Sequence, residues 1–196
     1  MRSSTMSAGP RRPVVGPTDL ALISTFAALM AVCAQITIAA ANAPFTLQMF
    51  AIFLAASVLG AVRGVLSVLL YLAVGTAGLP VFARGAAGPA EWASATGGYL
   101  LAFPLAALIV GFVAHRVARR SPGLFTVVVS VVAAIVTVAV VGTLGALGMA
   151  LKLDLSLSAA WALATPYFVA DIGKGILAAV VAAAVLRAFP QLVSRR

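Results

Sequence analysis

Acidic residues are scarce in this sequence: Asp19, Glu91, Asp154 and Asp171 are the whole set, beside a single His115 and a single Cys33. With so few ligating and titrating groups, a metal cluster or a paired-carboxylate catalytic centre lacks its parts. The lone Cys33 excludes an internal disulfide framework and, inside an apolar segment, reads as a small packing residue. His115 falls in a basic break and reads as a solvated loop residue. There is no GxxxxGK[ST] phosphate loop, since Gly173-Lys174-Gly175 has neither its spacing nor its hydroxyl. The chain therefore does not hydrolyse ATP by that route, and concentrating a solute would need energy from a partner or an ion gradient.

What is present is apolar. The 196 residues are 63% hydrophobic and 9% charged, with a mean hydropathy of +1.16. That composition belongs to an all-α integral membrane protein with lipid as its solvent. The net charge of +9 does not point to nucleic acid, because the arginines cluster in short breaks between apolar segments.

Residues 1–17, with Arg2, Arg11, Arg12 and several prolines, read as a disordered basic cytoplasmic tail. A membrane domain follows over 18–190, then a short basic cytoplasmic end at 191–196. The hydropathy pattern predicts six transmembrane helices, over roughly 19–41, 46–62, 65–79, 99–114, 124–151 and 161–186. The first apolar run and Ala39 to Ala43 imitate a secretory signal, but the run is longer than a signal core. Arg63-Gly64 is expected to turn between the second and third helices, and the fifth to tilt or break around Gly142, Gly145 and Gly148. Residues 81–98, rich in glycine, read as a long irregular loop.

Six spans with a cytoplasmic start place both termini inside. Arg2, Arg11, Arg12, Arg63, Arg116, Arg119, Arg120, Arg187, Arg195 and Arg196 then fall on the cytoplasmic side, against Arg84 and Lys152 outside. Trp92 and Trp161 meet the outer interface, where indoles are favoured.

Asp171 and Lys174 interrupt the last apolar segment, and each charge costs on the order of 3 kcal/mol near a helix centre. Their i, i+3 spacing puts both on one face, which Tyr167 extends by a turn. Pro166 and Gly175 bracket the pair and let the helix start or bend there. A structural ion pair that only fixes packing is one reading; a substrate or proton site facing a cavity is the other. A pocket of Lys174, Asp171, hydroxyls and aromatics such as Tyr99, Phe45 and Tyr167, under the glycine-rich loop and open outward, suits an amphipathic anion. In it Lys174 would hold a carboxylate and Asp171 would accept from ligand N–H groups or orient Lys174. Ala27 and Ala31, one turn apart, allow a second helix to approach closely, although this spacing also arises by chance in an alanine-rich chain.

Several stretches together resemble the BioY family, the biotin-specific substrate-binding components of energy-coupling-factor (ECF) transporters. They are Pro44-Phe45-Thr46-Leu47-Gln48, Arg63 to Leu72, Gly75 to Phe82, Thr96-Gly97-Gly98-Tyr99-Leu100 and Asp171-Ile172-Gly173-Lys174. The family usually reads Gly-Pro-Thr-Gly-Gly-Tyr where this chain has Ser94-Ala95-Thr96-Gly97-Gly98-Tyr99. The resemblance implies biotin capture from outside a bacterial cytoplasmic membrane by a multi-pass protein. It also implies docking onto a transmembrane scaffold subunit and paired cytoplasmic ATPases, which alone would use ATP; this chain itself needs no cofactor. In that picture Asp171, Lys174, Gly97, Gly98 and Tyr99 line the pocket, and the loop from Phe45 to Gln48 closes it. Ala27 and Ala31 resemble the patch that contacts the scaffold. Two other readings remain open: an autonomous carrier in which Asp171 and Lys174 relay a proton, and an intramembrane lipid enzyme with Asp171 as base and Lys174 as phosphate clamp.

Overall fold

The computed structural model describes residues 16–38 and 45–194. Nearly all of the basic tail, the segment 39–44 with its signal-like alanines, and Arg195 and Arg196 lie outside the described residues.

Helix α1 runs over Pro17–Gln35, opened by Pro17 in its first turn and by the Asp19 carboxylate, which accepts from the Gly16 amide at 3.0 Å. It stops well short of the expected residue 41. The next residues, Ile36-Thr37-Ile38, are β-branched; β1 (Thr37–Ile38) pairs antiparallel with β2 (Phe45–Thr46), and the Leu47 amide donates back to the Ile36 carbonyl at 3.2 Å. Helix α2 (Gln48–Leu59) is followed at once by α3 (Ala61–Thr76). The break between them is Gly60, at φ 79, rather than Arg63-Gly64. Gly64 lies inside α3, where a Cβ would sit 2.9 Å from the Ala56 Cα.

The expected long loop contains two short 3₁₀ turns, Ala83–Gly85 and Pro89–Ala93. Helix α4 (Gly97–Val117) begins two residues earlier than expected and takes in His115 and Arg116. Helix α5 (Pro122–Val136), a π-helical turn at Thr137–Gly142 and α6 (Thr143–Leu153) form one apolar rod, so the expected irregularity at Gly142 is a π turn within a continuous helix. Helix α7 (Leu157–Ala188) continues through Pro166 as a single 32-residue helix, and α8 (Gln191–Ser194) ends the described chain.

Helix α2 is the centre of the bundle, buried along nearly its whole length and packed by α1, α3, α4 and α7. Alanines with no exposure on α4, α5 and α7, among them Ala106, Ala133 and Ala179, let the helix backbones approach closely. The outside carries large apolar side chains, such as Leu101, Phe112, Val131, Ile135 and Leu177. An apolar core inside an apolar exterior fits a lipid solvent. Among the described residues, four stretches, 17–35, 97–117, 122–153 and 157–188, are long and apolar enough to cross a membrane; α2 and α3 are shorter apolar helices.

One end of the bundle is basic. There Arg63 on α3 meets Asp19 on α1 at 3.1 Å, with Gly111 of α4 against the start of α3 and Arg116, Arg119 and Arg120 beyond it. The opposite end gathers the hairpin, the 81–96 loop and the first half of α7.

Candidate functional site

At that opposite end is a cavity of about 280 Å³, close to the lower bound of small-molecule sites. Its floor is Asp171 and Lys174, one turn apart on α7, with Lys174 Nζ donating to Asp171 Oδ1 at 2.6 Å. Both residues are less than a tenth exposed, so they form a desolvated ion pair. Each charge offsets the other's burial, and the remaining lone pairs and N–H groups adjoin the cavity. Tyr167 lines the same cavity one turn earlier, as its spacing predicts.

The aromatic wall comes from three separate elements. Phe45 of β2 meets Tyr167 edge-on with centroids 5.4 Å apart, and Tyr99 of α4 lies 6.5 Å from Tyr167. Lys174 Nζ stands 5.4 Å from the Phe45 ring centre. The Tyr99 hydroxyl is buried with no hydrogen-bond partner among the described residues, an arrangement that suits donation to a bound molecule. Met49, Phe82, Ala83, Leu100, Phe103 and Met149 complete the apolar lining.

The two glycines expected in the lining are placed differently. Gly97 and Gly98 do not line the cavity; they are buried in the first turn of α4, and it is Thr96 and Tyr99 on either side that face it. A Cβ on Gly98 would strike the Leu144 carbonyl, so the glycine sets how closely α4 crosses α6 and hence where Tyr99 stands. Gln48 does line the cavity, and its amide also makes two internal bonds. Its oxygen accepts from Thr46 Oγ1 at 3.0 Å and its nitrogen donates to the Tyr71 hydroxyl, which donates to the Val81 carbonyl at 3.1 Å.

This chain of bonds ties the hairpin, α2 and α3 to the loop over the cavity. Gln35 anchors the same loop from α1, donating to the Phe82 carbonyl at 3.0 Å. Trp92 anchors its far side through the Thr76 hydroxyl at 2.8 Å. Tyr71 and Gln35 escape sequence reasoning because the carbonyls they bond, Val81 and Phe82, belong to a loop outside their own helices. Tyr71 is only 1% exposed and has to spend its hydroxyl somewhere.

Ala27 and Ala31, expected to meet a partner, are turned toward the bundle. Ala27 is 6% exposed and packs in the core, and Ala31 is half-buried against it. The face of α1 turned away from the bundle includes Leu20, Ala21, Ser24, Thr25, Ala28 and Val32.

The model of the BioY family matches residues 4–191. The chain belongs to the BioY family. Among curated BioY proteins, it is 38% identical over 143 residues to the probable biotin transporter BioY of Lysinibacillus sphaericus, covering 73% of this chain and 71% of that protein. It is 34% identical to the biotin transporter BioY2 of Lactococcus lactis over 87% of this chain and 91% of that protein. The probable biotin transporter BioY of Pyrococcus horikoshii is 44% identical over a shorter stretch, 47% of this chain and 57% of that protein. The fold matches the crystal structure of the S-component for biotin from an ECF-type ABC transporter, with a TM-score of 0.72, 22% identity, and coverage of 87% of this chain and 91% of that one.

In this BioY chain the hydrogen-bond relay under the loop gives a direct prediction. Tyr71→Phe leaves the buried Gln48 amide without its acceptor and frees the Val81 carbonyl, an expected cost of about 1–3 kcal/mol. Thermal unfolding of the detergent-solubilised protein, with tryptic cleavage at Arg84 as a local probe, checks it. The melting temperature falls and cleavage quickens; an unchanged melt and an uncut loop would remove the relay from the account.

Proposed function

We propose that this chain is the biotin-capturing, substrate-binding component of an ECF-type transporter. The observation that carries the reading is the cavity in which a buried carboxylate–ammonium pair faces an aromatic wall. A ring that carries both N–H donors and a carbonyl acceptor suits that pair, and an apolar chain suits the phenyl, leucine and methionine lining. The names of the relatives supply the ligand, and residues Asp171, Lys174, Tyr99, Tyr167, Phe45 and Thr96 are the ones expected to touch it.

In this reading six segments cross a prokaryotic cytoplasmic membrane: α1, α2, α3, α4, the rod 122–153 and α7. The basic end is cytoplasmic, which puts the cavity outside, where biotin arrives. Biotin is ligand rather than cofactor, and ATP is consumed by partner ATPases held through a scaffold subunit. The scaffold docks on the outward face of α1. Ala28→Trp places an indole on that face and is expected to abolish co-purification with the scaffold while sparing biotin binding; normal co-purification would move the docking face elsewhere.

Competition tests the ligand. Purified protein in detergent is expected to bind labelled biotin saturably, with displacement by desthiobiotin, which keeps the ureido ring, and not by lipoate, which lacks it. Displacement by lipoate as readily as by desthiobiotin would refute recognition through Asp171 and Lys174.

A further inference from the structure

Among the described residues, four charged side chains line the cavity: Arg84, Glu91, Asp171 and Lys174. Asp171 and Lys174 neutralise each other at 2.6 Å, both buried. A ligand carboxylate brought to Lys174 would set two carboxylates on one ammonium in a desolvated site, leaving an uncompensated negative charge there. The pair instead suits an uncharged group with a donor and an acceptor side by side. The ligand's anionic end therefore needs a different cation.

Arg84 meets that need. It is exposed at the cavity and, among the described residues, its guanidinium makes no ion pair or hydrogen bond. Its backbone adopts φ 60, ψ 29, a left-handed conformation that a non-glycine residue rarely takes. The turn that imposes this is closed on both sides, with the Phe82 amide donating to the Ala86 carbonyl at 3.0 Å and the Gly85 amide to the Phe82 carbonyl at 3.1 Å. It is pinned from behind by Gln35 at Phe82, by Tyr71 at Val81 and by the Gly88 amide on the Gly75 carbonyl at 2.8 Å. The backbone that carries Arg84 is thus set before any ligand arrives, and its planar guanidinium fork is matched to a carboxylate. Glu91, half-buried and without an ion pair among the described residues, disfavours an anion on its side of the cavity.

We propose that Arg84 holds the carboxylate of the bound molecule, while Asp171 and Lys174 hold its neutral ureido ring. This rests on the reading of the cavity as a biotin site, and it moves the carboxylate away from Lys174, where the charge pattern of the sequence first puts it.

The test pairs two proteins with two ligands: wild type and Arg84→Gln, biotin and biotinamide, whose carboxylate is replaced by an uncharged amide. Wild type is expected to bind biotin roughly 10- to 100-fold more tightly than biotinamide. Arg84→Gln should lose that preference, binding biotin as weakly as biotinamide and biotinamide as well as wild type does. Arg84→Gly, which also relieves the left-handed backbone, should lose it too. A preference for biotin kept in Arg84→Gln, or kept in Arg84→Gly, would overturn the assignment, as would an equal loss for both ligands, which would make Arg84 a loop-shaping residue. If wild type binds neither ligand, the biotin reading itself falls and the inference falls with it.

Discussion

Lys174→Ala is expected to abolish biotin binding and to destabilise the folded bundle by about 3–5 kcal/mol, because it leaves Asp171 buried without its counter-charge. The two effects have different origins and can be separated. The double variant Asp171→Leu/Lys174→Met removes both charges and fills the space with apolar groups. Its stability should return to the wild-type level or above it, since apolar replacement of a buried pair is often neutral or favourable. Binding should stay lost. Thermal unfolding of the three proteins in one detergent checks the stability pattern; a double variant as unstable as the single one would mean that the pair holds the helices together for its own sake.

The second large effect is expected at the crossing of α4 and α6. At Gly98 an added methyl lands on the Leu144 carbonyl and 3.2 Å from the Gly148 Cα, and both neighbours are backbone, which cannot rotate away. Gly98→Ala should therefore cost about 1–3 kcal/mol and weaken binding by displacing Tyr99. Gly173 is the matched control. It lies between the two charged residues on α7, yet a Cβ there meets nothing within 4 Å. Gly173→Ala should leave binding intact and add up to about 1 kcal/mol of helix stability. Equal melting temperatures for Gly98→Ala and wild type would show that the helices are not in close contact at this point.

Much of this was legible from residue types alone. Asp171, Lys174 and Tyr167 are polar tips in an apolar helix, and the helical repeat puts them on one face; the cavity is where that face points. The arginine clusters mark one end of the bundle because charge avoids the hydrocarbon interior.

What stayed hidden has a common physical cause. In water a helix shows its buried side by being apolar there. In lipid both sides are apolar, so periodicity does not tell Ala27, which is buried, from Ala28, which is not. The same flatness blurs helix ends: Arg63-Gly64 looks like a turn, whereas Gly60 is the one with positive φ and Arg63 stays in the helix, paired with Asp19. The hairpin of Thr37–Ile38 with Phe45–Thr46 is too short to show an alternating pattern. Gln48 has the right place for a ligand contact, and only the geometry reveals that its amide also bonds Thr46 and Tyr71.

Equilibrium binding of labelled biotin, measured side by side on wild type and on the folded Asp171→Leu/Lys174→Met variant, tests the central claim most directly. The account predicts saturable binding at one site per chain for wild type and none for the variant. Equal binding by both proteins, or none by a folded wild type, would contradict it.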